Sequence, residues 1–504
     1  MRFSKNFLAA FLVMAFASAA FGQWVNSTLI GAMKDYNPTL KDDFYAAVNH
    51  EWLTSAKLKP GRSANAASYE LQDVVDERIK KIISDENLTG HDGELVKRLY
   101  SLWLNWDARN SAGLVDLREQ SELITKIKTL DELSAYFLTE DSFYNGTVIA
   151  GYTLGTDDKN SEAYNLELTS TSLSLGDSAE YRALTSNGER TKKMHDAIVR
   201  YMLSRLGYDD EEISKLLASA FSFEEKIAPY IMTLEEFYSP DAIEKMYNPL
   251  SIEELREKSP VFPYAKIIET HKAVSNYMNL EEPEWLKALN ELYTPENLES
   301  IKAYLLCNLV SGYMGKIDEP AYRELQKISR ERYGISESKP DKDLAVDFVH
   351  DQIPVVVSRL YVSRYVPEST KLEVKNIIQD TVKYYREMLA NEEWLSESTR
   401  KKAIEKLDAM RLNSAYPDKW VDFSALEIPA GTSFYEALKI LQRYKTQKYF
   451  YDRLNTKVDH DIWIDDIAVA NSYYRPTENS INIIAGILGG DFYDERMTDR
   501  KSVG

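Results

Sequence analysis

Apolar residues recur every three to four positions over much of the chain, the spacing of amphipathic helices that bury one face. Residues 71–85 and 209–228 show it with charges between; in the second, Ile213, Leu216, Leu217, Ala220 and Phe223 form the stripe. Segment 371–412 predicts a helix with Ile377, Ile378, Val382, Tyr385 and Leu389 on one face. Ser396 then offers an N-cap to a second helix carrying Ala403, Leu407 and Met410, with Pro417 beyond its end. No repeat, low-complexity tract or Gly/Ser linker breaks the pattern, and Tyr247-Asn248-Pro249 and residues 336–341 read as loops within it. Near the C-terminus the period drops to two. Ile467, Val469, Asn471 and Tyr473 alternate with Ala468, Ala470, Ser472 and Tyr474, as the two faces of a strand do. Pro476 has no N–H to give a ladder and ends that strand; a turn over 475–480 then leads into a second apolar run, 481–488. The pattern predicts a hairpin with a polar Asn471 set in an apolar strand.

Composition changes this picture little. With 504 residues and 44% hydrophobic content, the chain is long enough for more than one domain. Its formal net charge of −19 argues against nucleic acid or anionic membrane as a partner. The acidic residues are dispersed through amphipathic stretches, as a solvated surface requires.

The N-terminus is more specific. Arg2 and Lys5 precede the apolar stretch Phe7 to Phe16, and small residues follow through Gly22, the layout of a signal peptide over residues 1–22 cleaved before Gln23. The apolar part is shorter than the roughly 20 residues needed to span a bilayer, so no transmembrane helix is expected after cleavage. Export to the bacterial periplasm or the medium follows. Cys307, the one cysteine, lies in the apolar run Tyr304 to Val310 and reads as a buried small hydrophobe.

Several short motifs, weak singly, occur in a common order along the chain. Asp42-Asp43-Phe44-Tyr45-Ala46-Ala47-Val48-Asn49 with Trp52-Leu53 comes first, then Tyr247-Asn248-Pro249-Leu250 with Glu254-Leu255. Arg359-Leu360-Tyr361 with Tyr365, Trp394-Leu395, Thr399-Arg400-Lys401-Lys402-Ala403 with Lys406-Leu407, and Tyr416-Pro417-Asp418-Lys419-Trp420 follow. Asn471-Ser472-Tyr473-Tyr474-Arg475-Pro476 and the Ile481 to Leu488 run close the series. Together they resemble the neprilysin family of zinc metallopeptidases.

That resemblance implies a mainly α fold: a large helical domain followed by an incomplete thermolysin-like α/β catalytic lobe. On this reading residues 23–60 are an opening segment packing on the lobe, 61–380 the helical domain and 381–504 the start of the lobe. It further implies that Asn471 and Ser472, where the family carries Asn-Ala, hold the main chain of a peptide substrate, with Tyr473 beside them. The peptide would join the exposed edge as an added strand. A lone Asn would ordinarily satisfy turn or edge backbone; the intact flanks favour the clamp. Gly489-Gly490-Asp491 stands where the family tends to have a Pro-containing turn, and Phe492-Tyr493 supplies the aromatic pair after it.

Zinc is the expected cofactor of the complete protein. Such enzymes hold it through a helical His-Glu-x-x-His pair plus a later Glu, with the motif Glu activating the bound water. No two of His50, His91, His195, His271, His350 and His460 have that spacing, and His50-Glu51-Trp52-Leu53 ends in Thr54, a poor ligand. The expectation is therefore the N-terminal part of a secreted zinc endopeptidase acting on oligopeptides, inactive by itself, with metal ligands and general base beyond Gly504. The alternative is a non-catalytic peptide-binding protein of the envelope. Oligomeric state is left open.

Overall fold

The computed structural model describes residues 35–490 and 492–494; the signal peptide expected over residues 1–22 lies outside them. Helices dominate. The principal ones are α1 (Ala67–Ile83), α2 (Gly90–Leu104), α3 (Ser186–Leu206), α4 (Asp210–Ile227), α5 (Leu298–Tyr313), α6 (Asp341–Gln352), α7 (Pro354–Tyr365), α8 (Glu368–Asn391), α9 (Glu397–Asp408) and α10 (Phe434–Thr446). Local chemistry sets several of their ends. Asp209 and Glu212 form a reciprocal capping box at the start of α4, and the Ser396 side chain accepts from the amide of Thr399 at the start of α9. Gly207, in the left-handed conformation at φ 104°, closes α3.

Two three-stranded sheets accompany the helices. In the first, β1 (Gly151–Asp157) and β2 (Asn160–Thr169) form an antiparallel hairpin, and β3 (Met278–Leu280) adds parallel to β2. In the second, the order is β4 (Arg411–Ala415), β6 (Ser480–Ile484), β5 (Ser472–Arg475). β4 and β6 run parallel, from Arg411 opposite Ser480 to Ala415 opposite Ile484. β5 runs antiparallel to β6, with Ser472 opposite Ile483 and Arg475 opposite Ser480.

The larger core gathers α3, α4, α5 and the first sheet around Trp285, Tyr304, Phe223 and Phe262. Helix α5 is buried around most of its circumference, which is why its sequence is apolar without a polar face. A second core joins distant parts of the chain. Val75, Ile79 and Ile82 of α1, Leu95 and Leu99 of α2, and Val356 and Tyr361 of α7 pack with Phe423, Leu441, Ile467 and Ile484. The second sheet is thus built onto helices that lie well before it in sequence, and those helices support it.

Four sequence expectations need correction. Residues 467–471 are not strand; regular pairing starts at Ser472. Both Ile467 and Ala468 are buried, so the two-residue alternation does not describe this stretch. The reason is tertiary: side chains from α1 and from Asp466 itself take the amides that a ladder would have used. The second apolar run is likewise strand only over 480–484, followed by a single 3-10 turn at 485–487. Segment 371–412 does form two helices, but its expected stripe is buried only at the N-terminal end. Val374 and Ile378 are covered where α8 packs on β4, whereas Tyr385 is 49% exposed and Trp394, after the helix, 79% exposed. Met410 falls beyond the end of α9.

Candidate substrate-binding edge

The second sheet offers one obvious place to grip an extended chain. β5 is one of its two outer strands, and no described strand pairs with its far edge. Asn471 sits immediately before β5 rather than within it. Its backbone amide donates to Val469 O (2.8 Å), and its side-chain Oδ1 accepts from the amide of Ser472 (2.8 Å). The Oδ1 acceptor is engaged locally, while the Nδ2 donor has no partner among the described residues. Ser472 is exposed at the first position of β5. Of the three residues expected to hold a peptide, Ser472 and Tyr473 lie on β5, and Asn471 directly precedes it.

Tyr473 points elsewhere. Its hydroxyl donates to Asp465 Oδ2 (2.6 Å), and Arg475 donates to both oxygens of the same carboxylate (2.8 and 2.9 Å) and to Glu478 (3.1 Å). Burial, followed by the Asp465 charge, pushes the Tyr473 hydroxyl upward, keeping it a neutral donor. For Arg475 burial works against the charge, but Asp465 and Glu478 outweigh it and raise the guanidinium. This network braces the strand from one side. Buried Asn482 braces it from β6: its Oδ1 accepts from Asn413 (2.7 Å) and its Nδ2 donates to Ser480 Oγ (3.0 Å).

The stretch before Asn471 is held by a further polar group. Asp466 Oδ1 accepts from the amide of Ala468 (2.9 Å) and from the Ser358 hydroxyl (3.1 Å), while Oδ2 lies 2.9 Å from His350 Nε2. Ser358 Oγ also receives the amide of Ile467 (3.3 Å). Burial disfavours a charged His350, yet Asp466, assisted by Asp351 and Asp76, overcomes that and raises the imidazole to about 9. Burial likewise disfavours the Asp466 carboxylate, and His350 with the surrounding donors holds it below its ordinary value. Both groups are thus charged at neutral pH. Nearby Lys445, pushed down to about 8 by burial, donates to Gln352 Oε1 (3.2 Å). None of Asp465, Asp466, His350, Ser358 or Asn482 was singled out from sequence, where spacing does not say which polar side chain meets which.

The histidines do not assemble a zinc site. His91 contacts Leu426 O (2.9 Å), His271 pairs with Tyr152 (3.0 Å), and His460 faces Glu162 (3.3 Å). His195 lies beside Asp196, His350 serves Asp466, and His50 sits on a short helix where the Thr54 hydroxyl turns back to His50 O (2.8 Å). Among the described residues no three His, Cys, Asp or Glu side chains converge to hold a metal ion. The donor set present here does not fit tetrahedral zinc, so no step of chemistry is routed through it.

Comparison with known proteins agrees with the architecture. The sequence model of peptidase family M13 matches residues 40–417. The neutral endopeptidase of Lactobacillus helveticus is 26% identical over 479 residues, covering 92% of this chain and 72% of that protein. Neprilysin-1 of Caenorhabditis elegans is 22% identical, covering 92% of this chain and 65% of its own length. The crystal structure of PepO from Lactobacillus rhamnosis superposes with a TM-score of 0.82 at 22% identity, over 92% of this chain and 73% of that one. The zinc metalloprotease Zmp1 of Mycobacterium tuberculosis, in complex with an inhibitor, gives a TM-score of 0.80 at 21% identity, over 92% and 70% of the respective chains. The chain belongs to peptidase family M13, the neprilysin family of zinc metalloendopeptidases. Its fold, mostly helical with small sheets, is that of this family.

Proposed function

We propose that this chain carries the peptide-gripping part of a zinc endopeptidase acting on oligopeptides, with the substrate backbone laid antiparallel or parallel along the outer edge of β5. The observation that carries the reading is the free edge at Ser472, opening directly after Asn471 and braced from behind by the Asp465 and Asn482 networks. Main-chain hydrogen bonds to the edge supply affinity irrespective of sequence, and the Asn471 amide adds a side-chain donor at the point of entry. Because no three His, Cys, Asp or Glu side chains converge among the described residues, the reading assigns no zinc ligand or general base to them. No described helix is long and apolar enough to cross a membrane. The basic and then apolar pattern of residues 1–22 supports export to the periplasm or medium.

Fluorescence anisotropy of a labelled ten-residue peptide rich in Phe and Leu tests the clamp. The wild-type chain should bind it, and Asn471→Ala should weaken binding about tenfold, the worth of one or two hydrogen bonds. Equal affinities would remove Asn471 from the site. Chelator-sensitive cleavage by this chain supplied with zinc would refute the reading of it as a gripping part inactive by itself.

A further inference from the structure

Between Asp466 and Ser472 the backbone departs from the strand that its own alternation favours. The amide of Ile467 goes to Ser358, that of Ala468 to Asp466, and that of Asn471 to Val469 O. The amide of Ala470 goes to Gln72 Oε1 at 2.7 Å, a residue of α1 398 positions away in sequence. Gln72 is itself fixed, since its Nε2 donates to Asp76 Oδ1 (2.7 Å) one helical turn on. We infer that Gln72 is a positioning residue for the peptide-gripping edge, setting the place of Asn471 by holding the peptide unit just before it.

The reason is register. Ile467, Val469, Asn471 and Tyr473 are a two-residue repeat, so an unanchored segment can extend β5 backwards as ordinary strand. In a strand a shift of one residue turns every side chain to the opposite face. Four amides bonded to side chains or to a local carbonyl prevent that extension, and the Gln72 bond is the last of them made to another element of the fold before β5 begins. It is also made by the α1 helix, which the second core joins to the sheet through Val75, Ile79 and Ile82. Gln72 touches no substrate on this account; it acts through Ala470. The inference rests on the clamp reading given above, and deepens it by naming what fixes the clamp.

The test uses the full chain with the same labelled peptide, together with amide hydrogen exchange over Ala470 to Tyr473. Gln72→Met removes the acceptor at little change in volume. It should weaken peptide binding and accelerate exchange at those amides, each by about fivefold to tenfold, the range for one neutral hydrogen bond. The thermal midpoint should move little, because Gln72 is only half-buried. The double variant Gln72→Glu with Asp76→Asn reverses the polarity of the pair and restores an acceptor to Ala470 N; it should return both readouts to within about twofold of wild type. A merely structural role would lower the thermal midpoint and leave affinity and local exchange alone. Unchanged exchange in Gln72→Met, or failure of the double variant to restore it, overturns the inference. If the wild-type chain does not bind the peptide, the clamp reading fails, and the exchange measurements still decide the role of Gln72.

Discussion

The His350–Asp466 ion pair makes the stability of the second core depend on pH in a way that can be worked out in advance. The two side chains are only 14% and 23% exposed at a separation of 2.9 Å, so solvent screens them weakly. His350 rises from an ordinary 6.5 to about 9 on folding. A basic group raised in this way stabilises fully below its unfolded value, and the contribution drains away as pH climbs through the folded one. The full shift corresponds to about 3 kcal/mol, of which about 1 kcal/mol disappears between pH 7 and pH 8. That interval is the clean one. Lys445, lowered to about 8 by burial, has the opposite sign and restores stability above pH 8 as its folded form sheds its proton first. Asp466, held low, loses its contribution only in acid.

Replacing His350 by Gln removes the titrating group while keeping a polar side chain. Native-state hydrogen exchange of the buried Ile467 and Ala468 amides in increasing urea reports the opening free energy of this core. The gap between wild type and His350→Gln should be about 2 to 3 kcal/mol at pH 7 and should close by about 1 kcal/mol at pH 8. Parallel pH profiles for the two proteins would show that His350 is not charged by Asp466, and the reasoning would fail.

Two further expectations concern packing and reactivity. A Cβ on Gly486 would overlap the backbone of Val469, so Gly486→Ala should cost at least about 2 kcal/mol, read as a fall in thermal midpoint; an unchanged midpoint would mean the 467–469 backbone can yield. Cys307 is fully buried and burial pushes its thiol up to about 12. Alkylation of the native protein by iodoacetamide at pH 8 should therefore run on the order of a hundredfold slower than of the urea-unfolded chain, and comparable rates would place the thiol at the surface.

Much of the helical architecture could be read from local chemistry. Asp209 and Ser396 mark helix starts because their side chains bond amides two or three residues on, an interaction wholly contained in sequence. Pro476 stops β5 for an equally local reason. The sequence put Asn471 and Ser472 at a sheet strand, where β5 begins, and its ordered motifs are characteristic of the family. The contacts around them were not legible. The role of Tyr473 as a brace on Asp465 differs from a place in the substrate contact, and periodicity carries no information about which hydroxyl meets which carboxylate.

The chain's own order of residues determined that helices would dominate, where several begin and end, that the Asn471 segment would approach a sheet edge, and that no His-Glu-x-x-His pair exists among six histidines. Those follow from spacing, capping and side-chain type, which act over a few residues. Only the tertiary structure decided that residues 467–471 leave the strand, that Tyr385 stays exposed while Ile378 is covered, and that His350 and Gln72 serve one segment. Backbone amides go to the acceptor that folding brings nearest, and a hydroxyl or amide side chain from a distant helix, held in place by a shared core, displaces the ladder that local alternation favours.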